Sequence, residues 1–157
     1  MLFYHTINDL LRQNLELLMN TREFESFRLV GGTSLSLQLG HRISVDIDLF
    51  SDAPYDSIDF GVIDAFLENQ FPYCNHLAKL KPALGKAYVI GKDLDHAVKL
   101  DVFYTDPFIH PPLEIDGLRL ASIEDIIAMK IDVVQRGGRK KDFWDLHELL
   151  STYTVKD

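Results

Sequence analysis

The 157-residue chain predicts an α+β fold, a small mixed β-sheet with helices packed mainly on one face, and three stretches carry that prediction. From Phe27 to Phe50 a short apolar run stops at Gly31-Gly32, a helical segment follows, and a strand comes next in which Val45, Ile47 and Leu49 alternate with Asp46 and Asp48. Two strand-like runs, Lys86 to Ile90 and Ala97 to Tyr104, are joined by the polar Gly91 to His96 turn and read as a hairpin. After Ser122 come two helices separated by Gly137-Gly138.

Each element has its local reason. A packing helix from about Asn8 to Met19 sets Leu11, Leu15 and Leu18 on one face. Phe27, Leu29 and Val30 form a strand, and Thr33 or Ser34 caps a helix from Ser34 to Leu39 that Gly40 closes. SDAPYDSID is a polar connection to a helix over Phe60 to Phe71, whose apolar side is Val62, Ile63, Phe66 and Leu67. TDPFIHPPLEIDG, with its three prolines, reads as loop. Ser122 and Asp125 make a near capping box for a helix striped with Ile123, Ile126, Ile127, Ile131 and Val134, and Phe143 and Trp144 read as core aromatics. No repeat, low-complexity tract or linker divides residues 1–157, so one domain is expected.

Composition narrows the class. An apolar share of 46% with 25% charged residues is that of a soluble globular chain able to bury a core without staples. The lone Cys74 cannot close a disulfide, and the first twenty residues are too interrupted by polar groups to span a membrane or lead secretion, so a cytoplasmic protein is expected. A net charge of −8 argues against a surface that coats duplex nucleic acid. The exception is local: Arg136, Arg139, Lys140 and Lys141 cluster near Lys130, a patch suited to a triphosphate or the end of an RNA. The six histidines lack zinc-site spacing, DIDLFSD lacks the ligands of an EF-hand, and no Walker loop occurs.

The chemistry centres on Asp46 and Asp48. At i and i+2 on a strand they share a face with Cα atoms roughly 6–7 Å apart, and unpaired they repel, so a divalent metal or a basic partner is expected. Gly31 and Gly32 let a backbone approach a phosphate, and the helix-start amides with the Thr33 and Ser34 hydroxyls favour anions. Together these describe a site for a metal-bound nucleoside triphosphate. Lys130 falls within an isoleucine-rich stripe, where the plain reading is a lysine snorkelling from the edge. Asp142 and Asp145 near a helix start read plainly as favourable dipole charges.

GGTSL followed by HRISVDIDLF resembles the first two motifs of the nucleotidyltransferase superfamily in the version carried by AbiEii-type toxins of abortive-infection and toxin–antitoxin systems. KLDVFYTD resembles the later strand that brings a third carboxylate, Asp101, and LASIEDIIAMKIDVVQRGGRKKDFWDLHELL resembles the family's last motif. The resemblance runs from about Phe27 to Leu150 and implies a nucleotidyltransferase-like fold with the site on the sheet's exposed edge. It implies that Asp46, Asp48 and Asp101 hold Mg²⁺ or Mn²⁺, that Asp101 helps deprotonate an acceptor hydroxyl, and that Gly31, Gly32, Thr33 and Ser34 bind phosphate. Lys130 would face the triphosphate and Asp142 would point into the site, while Asp145 pairs with arginines. The implied reaction is transfer of a nucleoside monophosphate from an NTP to an acceptor, an RNA end, by a toxin with a cognate antitoxin. Members of that family usually carry a further helical portion beyond the Lys-Asp helix. Two other classes stay open: a non-catalytic nucleotide-binding or interaction module, and a metal-dependent phosphohydrolase.

Overall fold

The structure is a computed structural model, and it describes residues 1–77 and 84–154. The first helix, α1 (Asp9–Met19), is capped by Asn8, whose side chain accepts from the Leu11 amide at 2.8 Å. Its Leu11, Leu15 and Leu18 are fully buried, as their spacing requires. Next come β1 (Arg28–Leu29), α2 (Gly31–Leu39) and β2 (Asp46–Ser51), then α3 (Phe60–Gln70) capped by Asp59. The hairpin β4 (Gly85–Gly91) and β5 (Ala97–Tyr104) is preceded by β3 (Tyr73–His76). The chain then forms β6 (Leu113–Ile115), β7 (Leu118–Leu120), α4 (Ile123–Gln135) and α5 (Lys140–Leu149).

Among the described residues seven strands form one mixed sheet in the order β3-β4-β5-β2-β1-β7-β6. β2 runs parallel to β5 and antiparallel to β1, and β1 runs parallel to β7. The carboxylate strands β2 and β5 therefore stand in the middle of the sheet, not on the exposed edge that the sequence led us to expect. The reason is that β3 and β4 extend the sheet beyond β5, while β6 and β7 extend it beyond β1.

One sheet face carries Ile47, Leu49, Leu100, Val102 and Tyr88, all fully buried, and packs on α1 and on Ile63 and Leu67 of α3. A smaller apolar cluster gathers Val30, Leu35, Ala121, Ile126 and Leu149, with Phe50 from the other face of β2 against it. α2 joins the two, since Leu37 enters the larger core and Leu35 the smaller. α4, capped by Ser122 accepting from the Asp125 amide at 3.0 Å, and α5 turn back on each other through Gly137-Gly138.

Three expectations change. TDPFIHPPLEIDG contains β6 and the start of a tight hairpin to β7, turning at Asp116 and Gly117 with φ of 53° and 78°. Phe143 and Trp144 are 51% and 57% exposed on the outer side of α5, not in the core. Helix α2 begins at Gly31, so Thr33 and Ser34 are its third and fourth residues and cap nothing.

Candidate active site

Residues opposite one another in a ladder share a sheet face. Asp48 lies opposite Asp101 across the β2–β5 pair, and Ile47 lies opposite Leu100. With Ile47 and Leu100 in the core, Asp46, Asp48 and Asp101 stand together on the other face, joined by Lys99. Over them opens a cavity of about 180 Å³, lined by Asp48 and Asp101 from the sheet, Gly31 and Gly32 from α2, and Lys130 and Asp142 from the last two helices. Arg42, Arg139 and Lys141 add positive charge to its wall.

The acidic floor is crowded. Burial, then Asp101, then Asp46 push the Asp48 carboxyl up to about 6, with Lys99 and Lys141 opposing. Asp101 accepts from Lys99 Nζ at 2.8 Å through Oδ2, while its Oδ1 is buried without a hydrogen-bond partner among the described residues. Asp46 turns to Lys141 Nζ at 3.2 Å. Each of these two lysines holds one of the carboxylates, and among the described residues no group of three carboxylate, histidine or cysteine ligands is assembled around one point. The basic partner expected for the aspartate pair is thus Lys141 for Asp46. The donor set still fits a hard divalent ion, because Asp48 is destabilised in its ionised form and Asp101 Oδ1 is a buried oxygen with nothing to accept from.

The glycines are required by packing as well as by any ligand. Gly31 has φ +67°, and the place of its missing Cβ is filled by the Asp48 carboxylate. At Gly32 the Arg42 guanidinium occupies the same place. No side chain caps this helix start, and its first two residues, Gly31 and Gly32, line the cavity. The hydroxyls behave otherwise. Thr33 Oγ1 bonds Ser44 Oγ and the Asp46 carbonyl, and Ser34 Oγ accepts from Gln38 Nε2 at 3.1 Å. Both residues are buried, and both hydroxyls are engaged within the protein. The earlier helix start turned them inward.

Lys130 is 5% exposed and its ammonium meets Asp142 at 3.0 Å and Asp145 at 2.8 Å. Asp145 also takes a two-pronged bond from Arg42, at 2.6 and 2.7 Å, and one from His41 Nε2 at 2.8 Å. Burial alone would raise the Asp145 carboxyl, but the bonds from Arg42, His41 and Lys130 hold it well below the usual range. Asp142 is likewise opposed by burial and lowered overall by Lys130 and the Arg139 amide. Arg42 pairs with a carboxylate, Asp145, as the expectation that Asp145 meets arginines requires, whereas Lys99 and His41 were not among the residues singled out for the site. Lys99 was legible, since it lies two residues before Asp101 on the same strand face. His41 reaches Asp145 across 104 residues, a distance that no local pattern reveals.

This is the nucleotidyltransferase fold, and solved structures share it. MenT4, a nucleotidyltransferase toxin of Mycobacterium tuberculosis H37Rv, matches 93% of this chain and 59% of its own with a TM-score of 0.62 at 17% identity. JHP933 from Helicobacter pylori matches 92% and 64% with a TM-score of 0.62 at 26% identity. Within that class the chain belongs to the AbiEii family, the nucleotidyl transferase AbiEii toxins of a type IV toxin–antitoxin system, whose pattern matches residues 15–157. The Aquifex aeolicus (strain VF5) protein aq_aa25 is 29% identical over 144 residues, covering 88% of this chain and 65% of that relative. The chain thus spans less than two thirds of the length of these relatives. Among the described residues no helix is long and apolar enough to cross a membrane.

Proposed function

We propose that this chain is a metal-dependent nucleotidyltransferase that moves a nucleoside monophosphate from an NTP to an acceptor hydroxyl at the end of an RNA. In this reading it acts as a toxin or phage-defence component with a cognate antitoxin. The observation that supports it best is the opposition, across one cavity, of an uncapped helix start at Gly31 and a sheet face bearing Asp48 and Asp101. Anion donors facing carboxylates are the two halves that a metal-bound triphosphate needs.

The residues divide the work. Amides at Gly31, Gly32 and Thr33 take phosphate oxygens, and Arg42, Arg139 and Lys141 meet the remaining negative charge. Lys130 faces the same cavity and holds Asp142 in place while adding charge behind the leaving pyrophosphate. The acceptor oxygen attacks phosphorus in line and its proton passes to Asp101 Oδ1, the carboxylate oxygen left without a partner. Asp48 and Asp101 would hold Mg²⁺ or Mn²⁺, with Asp46 joining on release from Lys141, and such an ion would offset the charge of the phosphate oxygens. Lys99 and Lys141 neutralise Asp101 and Asp46, and a bound cation would take over that role.

Incubating the protein with each α-labelled NTP and total RNA, with and without Mg²⁺, tests this directly. Mg²⁺-dependent label on RNA is expected. Free monophosphate would instead indicate hydrolysis with the same carboxylates, and no turnover would leave a binding module.

A further inference from the structure

A second cavity of about 350 Å³ adjoins the first and shares Phe50, Met129 and Val133 with it. Its far wall is the segment from Thr105 to Ile109, and its near wall is the side of α4 that bears Ala128 and Asp132.

The two spaces differ in charge. Four cations line the first, whereas among the described residues no lysine or arginine lines the second, and Asp106 and Asp132 stand exposed at it. A phosphate is repelled there. Apolar surface is left in water instead: Ile109 is 75% exposed and Val133 44%, beside the Phe50, Phe108 and Met129 side chains.

The far wall is held in place. Asp52 accepts from the Phe108 amide at 3.2 Å, and Asp125 accepts from the Ile109 and His110 amides at 2.8 and 3.2 Å. Arg28 donates to the His110 carbonyl at 2.7 Å, and its guanidinium lies 4.1 Å from the Phe108 ring centre. Three amides and a ring are thus tied to Asp52 and Arg28 outside the cavity and to buried Asp125 in its lining, so the wall exists before anything enters it.

We propose that this second cavity seats the base of the nucleotide whose phosphates occupy the first. The inference rests on the nucleotidyl-transfer reading. A nucleoside triphosphate has the same polarity as the paired cavities: anionic at one end, flat and uncharged at the other. The ring edge carries N–H groups, and ionised Asp106 and Asp132 can only accept. The shared residues Phe50, Met129 and Val133 lie where the two ends of one molecule must join.

The test is calorimetric titration with Mg²⁺ and each of ATP, GTP, CTP, UTP and inorganic tripolyphosphate. For the unchanged protein the best nucleotide is expected to bind roughly tenfold or more tighter than tripolyphosphate. Ala128→Trp and Asp106→Trp fill the second cavity from opposite walls at exposed positions that do not line the first, so misfolding of one leaves the other informative. Each folded variant, checked by its melting curve, should lose that advantage while keeping its affinity for tripolyphosphate. Nucleotide binding no tighter than tripolyphosphate, undiminished nucleotide binding in the variants, or equal weakening of both ligands would overturn the base site. Binding of tripolyphosphate alone defeats only this inference. Binding of none of the five removes the transfer reading beneath it as well.

Discussion

At Asp48 the chain holds a carboxylate where burial, Asp101 and Asp46 all oppose its charge. Asp48→Asn is therefore expected to abolish transfer and to raise stability of the metal-free protein at pH 7 by about 3 kcal/mol, at about 1.4 kcal/mol per pKa unit for a carboxyl moved from 3.8 to about 6. Thermal melts in chelator check the second half, and an unchanged or lower melting temperature would show that Asp48 is comfortably solvated. Gly31→Ala should fail for two reasons at once, a positive φ and a Cβ driven into the Asp48 carboxylate. About 1–3 kcal/mol of lost stability is expected from the backbone alone, with loss of nucleotide binding by calorimetry. The aspartates were readable because strand alternation sorts faces in any sequence. The inward turn of Thr33 and Ser34 was not, since moving a helix start by three residues rotates every hydroxyl and the glycines that began it looked like a turn.

At the scale of elements, the α4–α5 pair is fastened to the loop after α2 by Asp145. Asp145→Asn should cost about 3–5 kcal/mol at pH 7, because Arg42 and Lys130 lose the partner that compensates their burial. The pH dependence has a defined sign. A carboxyl held below its unfolded value contributes fully above about pH 4 and loses its contribution as pH falls through the folded value. Acid unfolding of the variant, followed by circular dichroism, should accordingly be flatter below pH 4 than that of the unchanged protein. The same contacts decide what Lys130→Ala must do. With Lys130 removed, Asp142 and Asp145 lose a buried cation, so the melting temperature should fall together with activity. Such a fall ties Lys130 to structure, and a preserved melting temperature would show that Arg42 alone satisfies Asp145. Among the elements, the β6–β7 hairpin was written plainly in Leu113, Ile115, Asp116-Gly117, Leu118 and Leu120. Three nearby prolines obscured it, although all of them precede the first paired residue. The short β3, Tyr73-Cys74-Asn75-His76, has no apolar alternation to read, and its strand exists because β4 offers it a free edge.

For the whole molecule the balance of charge decides what partner it can hold. With a net charge of −8, the Arg136 to Lys141 cluster is the densest run of cations along the chain and the surface best suited to meet a nucleic-acid backbone. Of these four cations, Arg136 meets Asp132, Arg139 meets Asp142, Lys141 meets Asp46, and Lys140 lies over the Trp144 ring. Binding of a single-stranded RNA end should then weaken with salt by a slope no steeper than about −3, at about 0.7 per phosphate neutralised. Filter binding across a salt series measures it, and a much steeper slope would place the contact on another surface. The order of motifs along the chain revealed the architecture, because strand, helix and strand signals are local. The crossing of the sheet was hidden, because which strands neighbour one another is settled by burial over the whole chain.

The bond between Arg42 and Asp145 spans most of the polypeptide, and it governs when the protein can first act. During synthesis β2 and the glycine helix emerge before Lys130, Lys141 and Asp142, and without those three the cavity has no roof. A nascent chain therefore carries an exposed acidic strand and no site. The complete cavity exists only once α5 has docked, and a protease that cuts at the Gly137-Gly138 link would open it without touching one of the three sheet aspartates.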